Sequence, residues 1–78
     1  MQTSLSELQQ NERGSVVGFA CEKQVLRRLL ELGITENTTL RCIRWAPMQG
    51  VIEVKVRGYL LAIGFEDAKG ILIEKEGT

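Results

Sequence analysis

Histidine is absent from this chain of 78 residues, and several other residue types are scarce. Without imidazole, the chain lacks the side chain used most often as a general base and as a metal ligand. Aromatic residues make up only 5% of the chain, so its 44% of hydrophobic residues are mainly aliphatic. Ten basic residues balance ten acidic ones, which leaves no net charge to attract nucleic acid. These absences disfavour catalysis and predict an aliphatic core with a functional surface.

Cysteine is also rare. Cys21 and Cys42 lie far apart in a spacing that matches no zinc or redox motif, and we interpret both as space-filling residues. We therefore predict no metal site and no cofactor. The first residues, MQTSLSEL, lack the basic and apolar regions of a signal peptide, and no apolar run reaches the roughly 18–20 residues of a membrane span. The expectation is a cytoplasmic protein that is not membrane-embedded, with residues 1–78 forming one domain.

The segment Ala46–Ile63 carries the strongest structural pattern. Pro47–Gly50 is a turn signal, a strict alternation of apolar and polar residues follows it, and Gly58 permits a tight reversal into another strand. Further strands are predicted over Ser15–Ala20, with a bend at Gly18, over Thr38–Trp45, and around Ile71 and Ile73. A hairpin at the Pro47 turn predicts these facing pairs: Ile43–Val54, Arg44–Glu53 and Trp45–Ile52. That register points Leu40 and Cys42 outward, which requires either a covering helix or a bend.

Three helical segments are predicted. Ser4 and Glu7 fit a capping box that opens a short N-terminal helix of about two turns. Glu22–Leu32 has an apolar face that covers about 160° of a helix, and Gly33 is placed to end it in a left-handed conformation. Phe65–Lys69 is typical of a single helical turn. Short strands joined by glycine-containing turns favour a closed sheet, so the predicted fold is a mainly β, five-to-six-stranded barrel with one inserted helix.

The order of these motifs resembles the FeoA family of small accessory proteins of bacterial ferrous iron uptake. The resemblance lies in RRLLELGI, AP-x-x-G, VRG, LLAI and ILI, and it extends from about Leu5 to Ile73. In one departure, Glu36–Asn37 stands where the family usually has a Pro–Gly turn; Asn also tolerates the left-handed conformation. The resemblance implies an SH3-like barrel that binds the cytosolic region of FeoB, a membrane iron transporter.

Protein–protein contact is therefore the expected activity, without catalytic residues. The partner-binding candidates are an edge of the helix and the tip of the Pro47 turn: Leu26, Arg27, Arg28, Leu29 and Met48. The two arginines are expected to form a polar rim around the exposed leucine. A weak homo-oligomer is another assembly that such a surface allows.

Two other functions stay open. The first is a stand-alone regulatory module related to the C-terminal domain of metal-dependent repressors. The second is a weak nucleic-acid-binding barrel that uses a basic sheet face formed by Arg41, Arg44, Lys55 and Arg57. Exposed aromatic residues for base stacking are scarce, and Glu53 interrupts the basic residues. Our prediction is therefore a protein partner and no nucleic acid.

Overall fold

The computed structural model describes residues 2–76. Its two α-helices are α1 (Lys23–Glu31) and α2 (Phe65–Lys69), and 3₁₀ turns occur at Leu5–Glu7 and Pro47–Gln49. The strands are β1 (Gln2–Ser4), β2 (Arg13–Phe19), β3 (Thr39–Ala46), β4 (Val51–Val56), β5 (Tyr59–Gly64) and β6 (Ile71–Lys75). They form one antiparallel sheet in the order β1-β6-β2-β3-β4-β5. The predicted mainly β fold with one substantial helix is confirmed.

The sheet is open, and the predicted closure was wrong in this respect. β1 and β5 end the strand order, and within residues 2–76 they do not pair with each other. Instead, α2, which follows β5, packs against the 3₁₀ turn that follows β1. Ala68 of α2 and Leu5 of that turn are both fully buried. Side-chain packing thus joins the two ends of the sheet where a closed barrel has hydrogen bonds.

The core is aliphatic, as predicted. Strand β4 buries its inward side chains completely at alternate positions, as Ile52, Val54 and Val56 show. Burial of each such side chain contributes about 1.5–3 kcal/mol relative to exposure. The remaining members of the core cluster are Leu5, Leu8, Val16, Leu29, Ile34, Leu40, Cys42, Ile63, Ala68, Ile71 and Ile73.

A bulge in β3 changes the predicted register. Arg44 pairs with Glu53 and Trp45 with Ile52, as expected, but Cys42 rather than Ile43 faces Val54. The register shifts between Cys42 and Arg44, so one extra residue is accommodated there. Leu40 and Cys42 consequently point into the core, and the uninterrupted register that placed Ile43 beside Val54 was wrong. Of the two alternatives, a covering helix and a bend, the chain has the bend.

Two predicted turns have the expected backbone. Arg57 and Gly58 both have positive φ, at 50° and 89°, and they form a tight link between β4 and β5. Asn37 is left-handed at φ 71°, and its N–H donates to the carbonyl oxygen of Val16 at 2.7 Å. The Glu36–Asn37 turn therefore keeps the conformation that a Pro–Gly turn would supply.

The N-terminal segment differs from its prediction. β1 precedes a single 3₁₀ turn, Leu5–Glu7, instead of a two-turn helix. Ser4 makes no side-chain capping bond to the backbone, because its hydroxyl is bonded to the Ser6 hydroxyl. Strand pairing with β6 competes with the helix at these residues, and Trp45 Nε1 then donates to the carbonyl oxygen of Leu8 at 2.9 Å. The capping box motif was thus misleading here.

Strand β2 contains the expected bend at Gly18. Its register with β6 shifts between Val16 and Gly18, which is the signature of a bulge. Val17 is the extra residue, and its side chain is partly exposed while that of Val16 is buried. The chain then continues through residues 20–22 into α1.

Candidate protein-interaction site

Helix α1 carries most of the candidate residues, and its ends lie close to the predicted bounds. Glu22 is its N-cap and Leu32 its C-cap. Gly33 has φ 93°, and its N–H donates to the Leu30 carbonyl oxygen at 3.0 Å. The Ile34 N–H donates to the Leu29 carbonyl oxygen, also at 3.0 Å. These two bonds form the predicted Schellman motif and place Ile34 in the core.

One side of α1 is fixed to the rest of the molecule by polar contacts. Nη2 of Arg28 donates to both carboxylate oxygens of Asp67 in α2, at 3.1 and 2.9 Å. The Tyr59 hydroxyl of β5 donates to the Leu32 carbonyl oxygen at 2.8 Å. Arg28, which we expected at the rim of an interface, is therefore engaged within the molecule. It orients α1 against α2.

Leu29 is a core residue, and its assignment to an exposed partner surface was wrong. Only 1% of its surface is accessible. The helix meets the sheet along a narrow line, with Leu29 buried at its centre and Val25 partly buried beside it. Leu30 is 45% exposed, although it belongs to the same predicted apolar face. An apolar arc of about 160° is therefore wider than the contact that α1 makes.

The exposed residues of that arc lie at its two ends, with Leu32 on the side of Arg28 and Leu30 on the other side. At about 100° per residue, Leu26 and Leu30 lie roughly 60° and 100° from Leu29, on the side away from Arg28. Leu26 is half-buried, and Arg27 and Lys23 are exposed next to the two leucines. We call Lys23, Leu26, Arg27 and Leu30 the helix ridge. Two apolar residues and two basic residues, each pair four positions apart, thus share one surface.

Sequence reasoning missed two members of the helix ridge. Leu30 was assigned to the buried face and Lys23 to the solvated one. The sequence spacing already indicated that they belong together, because residues four positions apart are neighbours on a helix surface. Leu30 follows Leu26 by four positions, and Arg27 follows Lys23 by four. What the sequence lacked was the helix rotation, which depends on the contacts of Arg28 and Tyr59.

Met48 belongs to a separate surface. It lies at the tip of the 3₁₀ turn Pro47–Gln49 and is fully exposed, as the sequence predicted. Beside it lies a shallow groove of about 240 Å³ that includes Trp45 and Pro47. Trp45 is held there by the Phe65 ring, with centroids 5.0 Å apart, and by its bond to Leu8. The groove is thus bordered by the packed Trp45 ring on one side and by the exposed Met48 on the other.

Helix α2 separates Met48 from the helix ridge. The Phe65 N–H, at the start of α2, donates to the Gly50 carbonyl oxygen just after the Met48 turn, at 3.0 Å. Asp67, two residues later, holds Arg28. The five candidates therefore divide into three classes: Leu26, Arg27 and Met48 on the surface, Arg28 in an ion pair, and Leu29 in the core.

The cysteines differ in their environments. Burial raises the pKa of the Cys42 thiol, and the nearby Glu12 carboxylate raises it further. Cys21 is half-buried and lines an open depression between α1 and α2. Residues 2–76 contain no cluster of three or more His, Cys, Asp or Glu side chains arranged to hold a metal ion. In that same range, neither helix has the length and apolarity needed to cross a membrane.

Several solved structures share this fold. The FeoA protein of Chlorobium tepidum is 36% identical, with a TM-score of 0.86 over 96% of this chain and 71% of that one. The zinc-bound FeoA of Stenotrophomonas maltophilia, described as a prokaryotic SH3 domain protein, is 25% identical. Its TM-score is 0.77 over 92% of this chain and 89% of that one. The predicted SH3-like fold is confirmed.

A manganese-dependent transcriptional repressor shares the fold alone. It has a TM-score of 0.91 at 22% identity, and the match covers 96% of this chain but only 37% of the repressor. Among curated protein sequences, no significant match was found. The family model for the FeoA domain, in contrast, matches residues 3–75, which is nearly the whole chain. The chain therefore belongs to the FeoA family.

Proposed function

We propose that this protein is an accessory factor of bacterial ferrous iron uptake that binds the cytosolic region of a FeoB transporter. Family membership supports the iron-uptake role. One structural relative is named an iron uptake regulatory protein, and the Stenotrophomonas maltophilia protein has been put forward as a ferrous iron transport activating factor. In this role the protein acts by binding through its surface, and no reactive group is required.

The observation that carries this proposal is the helix ridge. Leu30 is 45% exposed on a helix whose neighbouring position, Leu29, is buried. Among the described residues, no carboxylate lies within 4.0 Å of Lys23 or Arg27. An apolar strip bordered by available cations matches the usual arrangement of an interface, with an apolar centre and a polar rim. Its position on a helix fixed by Arg28 also makes the surface preorganised.

Binding alters transport only if it discriminates between states of the transporter. A ligand shifts a conformational equilibrium by its difference in affinity for the two states. We therefore propose that the helix ridge contacts a surface of FeoB that is present in one state and rearranged in the other. The bound protein then increases the population of the state that presents this surface.

The test is a titration of the purified protein against the cytosolic region of the FeoB protein from the same organism. Leu30→Asp places a charge at the centre of the helix ridge, and we expect it to weaken binding by about tenfold or more, as at an interface hot spot. Gln9→Asp is the matched control, since it adds the same charge on an exposed loop outside α1. Circular dichroism of both variants checks that they are folded.

Three outcomes oppose the proposal. Wild-type protein that shows no binding at high micromolar concentration contradicts the partnership itself. Equal affinity of wild-type and Leu30→Asp protein contradicts the helix ridge as the site. A Met48→Ser variant then shows whether the Met48 groove is the contact, because its loss of affinity would move the interface to the other side of α2.

A further inference from the structure

Among the described residues, the ion pairs leave a group of basic side chains without a carboxylate partner. Within residues 2–76, Arg13, Arg28, Arg44, Lys69 and Lys75 each lie within 4.0 Å of a carboxylate. In the same range, the other basic residues have no such partner: Lys23, Arg27, Arg41, Lys55 and Arg57. The first two belong to the helix ridge. The last three lie on or beside the outer face of the sheet, which the sequence alone had suggested only as a weak nucleic-acid surface.

The strand register places these outer residues in a line. Arg13 of β2 is the partner of Arg41 of β3, and Arg41 is the partner of Lys55 of β4. Lys55 in turn faces Leu60 of β5. All four side chains are exposed, and Leu60 retains 62% of its accessible surface. We call Arg13, Arg41, Lys55 and Leu60 the basic row.

Like charges at facing positions of a sheet repel each other. The Glu76 carboxylate partly neutralises the charge of Arg13, because it lies 3.8 Å from the Arg13 Nε. Both side chains are more than half exposed, so this interaction is weak. The nearest acid on β4, Glu53, is already occupied by Arg44 at 2.8 Å. Arg41 and Lys55 therefore face each other with no carboxylate from the described residues to neutralise them. A carboxylate from another molecule would convert this repulsion into two attractive contacts.

We propose that the basic row is a docking surface for an acidic protein segment. A carboxylate of that segment lies between Arg41 and Lys55, and the apolar side chain two positions along the segment covers Leu60. Adjacent strands are about 4.8 Å apart, so the row is about 14 Å long, which an extended segment of about five residues spans. This surface is separate from the helix ridge, because Leu60 points to the outer face while its neighbour Tyr59 contacts α1 from the other face.

Two observations favour protein over nucleic acid as the occupant. The row ends in an aliphatic residue, Leu60, whereas single-stranded nucleic acid is bound through aromatic side chains on which bases stack. The nearest aromatic ring on β5 is that of Tyr59, and its hydroxyl is bonded to the Leu32 carbonyl oxygen.

Fluorescence anisotropy with a short labelled peptide tests this proposal. The peptide contains glutamates two positions before and two positions after a leucine, so that all three side chains share one face of an extended segment. A second peptide carries glutamines in place of the glutamates. We expect the acidic peptide to bind more tightly, with an affinity that falls as salt increases. Arg41→Glu and Lys55→Glu should each weaken binding by about tenfold or more, as for loss of a charge-assisted hydrogen bond. Arg41→Gln should also weaken binding of the acidic peptide, with less risk to folding.

The matched control is Lys69→Glu, which makes the same change of charge on α2, outside the basic row. It should bind the acidic peptide as the wild-type protein does. Equal affinities for the glutamate and glutamine peptides overturn the proposal, as does unchanged binding by Arg41→Glu and Lys55→Glu. A short single-stranded oligonucleotide serves as the competing probe. If it binds more tightly than the peptide and through the same residues, the occupant is a nucleic acid and the proposal is wrong.

Discussion

Strand β4 and helix α1 both have clear amphipathic patterns, but they use their apolar residues differently. In β4, the three apolar residues Ile52, Val54 and Val56 are all fully buried. In α1, Leu29 is buried and the next residue, Leu30, is 45% exposed. β4 lies between β3 and β5, and its inner face is covered across the whole strand. The helix has the rest of the molecule on one side only.

This contrast shows which apolar residues serve stability and which are available for binding. In a strand inside a small sheet, the inward side chains are buried because each inward position is surrounded by other core residues. A helix at the margin of the sheet buries only the residues along its line of contact. The exposed leucine then adds little to folding, and its apolar surface is available to a partner.

The largest difference is expected between charges at positions 29 and 30. Leu29→Asp buries an unpaired carboxylate, which costs several kcal/mol, and in a chain with marginal stability this should unfold most of the protein. Leu30→Asp should remain folded, since its side chain can reach water. Thermal unfolding followed by circular dichroism measures both. A folded Leu29→Asp variant would mean that α1 is rotated about its axis relative to this structure.

Truncations give a graded version of the same comparison. Ile52→Ala should lower the free energy of unfolding by about 2–5 kcal/mol, because it leaves a cavity in the close-packed core. Leu30→Ala should lower it by less than about 1 kcal/mol, since much of that side chain is already solvated. Urea titrations of the two variants and the wild-type protein provide the values. Similar losses for both variants would remove the distinction between the strand and the helix.

Most of the sheet could be predicted because alternation and turn residues act locally. The turns at Pro47–Gly50 and Gly58, and the pairing of Arg44 with Glu53, follow from residues close in sequence. The bulge at Ile43 could not be predicted, since it depends on how β3 curves to keep Cys42 in the core. Without the bulge, Arg41 would not face Lys55, and the basic row would not form.

The predictions for the N-terminal segment and for the buried face of α1 were wrong for a related reason. Ser4 and Glu7 satisfy a helix-start motif, but Gln2–Ser4 pairs with β6, a strand about seventy residues away that no local pattern reveals. The rotation of α1 likewise depends on Asp67 and Tyr59, both distant in sequence. The sequence therefore predicted that α1 is amphipathic but not which of its leucines faces solvent.

Alanine substitutions at Gly33 and Gly50, two of the glycines with positive φ, test how firmly Tyr59 fixes the end of α1 at Gly33. Alanine at either position adopts a positive φ at a cost of about 1–2 kcal/mol. At Gly33 the added methyl carbon would also lie 2.7 Å from the Tyr59 hydroxyl, whereas at Gly50 it meets nothing within 4 Å. Gly33→Ala should therefore destabilise more than Gly50→Ala in urea titrations. Equal losses would indicate that Tyr59 moves aside freely and does not fix α1.

The smallest expected effect is a pH dependence that arises on the sheet side of the molecule. A hydrogen bond from Lys75 lowers the pKa of Glu12 below its ordinary value of 4.5, and Arg44 lowers the pKa of Glu53 in the same way. A carboxyl group whose pKa is lower in the folded state stabilises the protein above its unfolded pKa, and this contribution is lost as the pH falls through the folded value. Both side chains are at the surface, so the change is small. Urea midpoints should decrease as the pH falls below about 4.5. Glu53→Gln should lower the midpoint at neutral pH and converge with the wild-type protein in acid, and a difference that persists at every pH would contradict the ion pair as its cause.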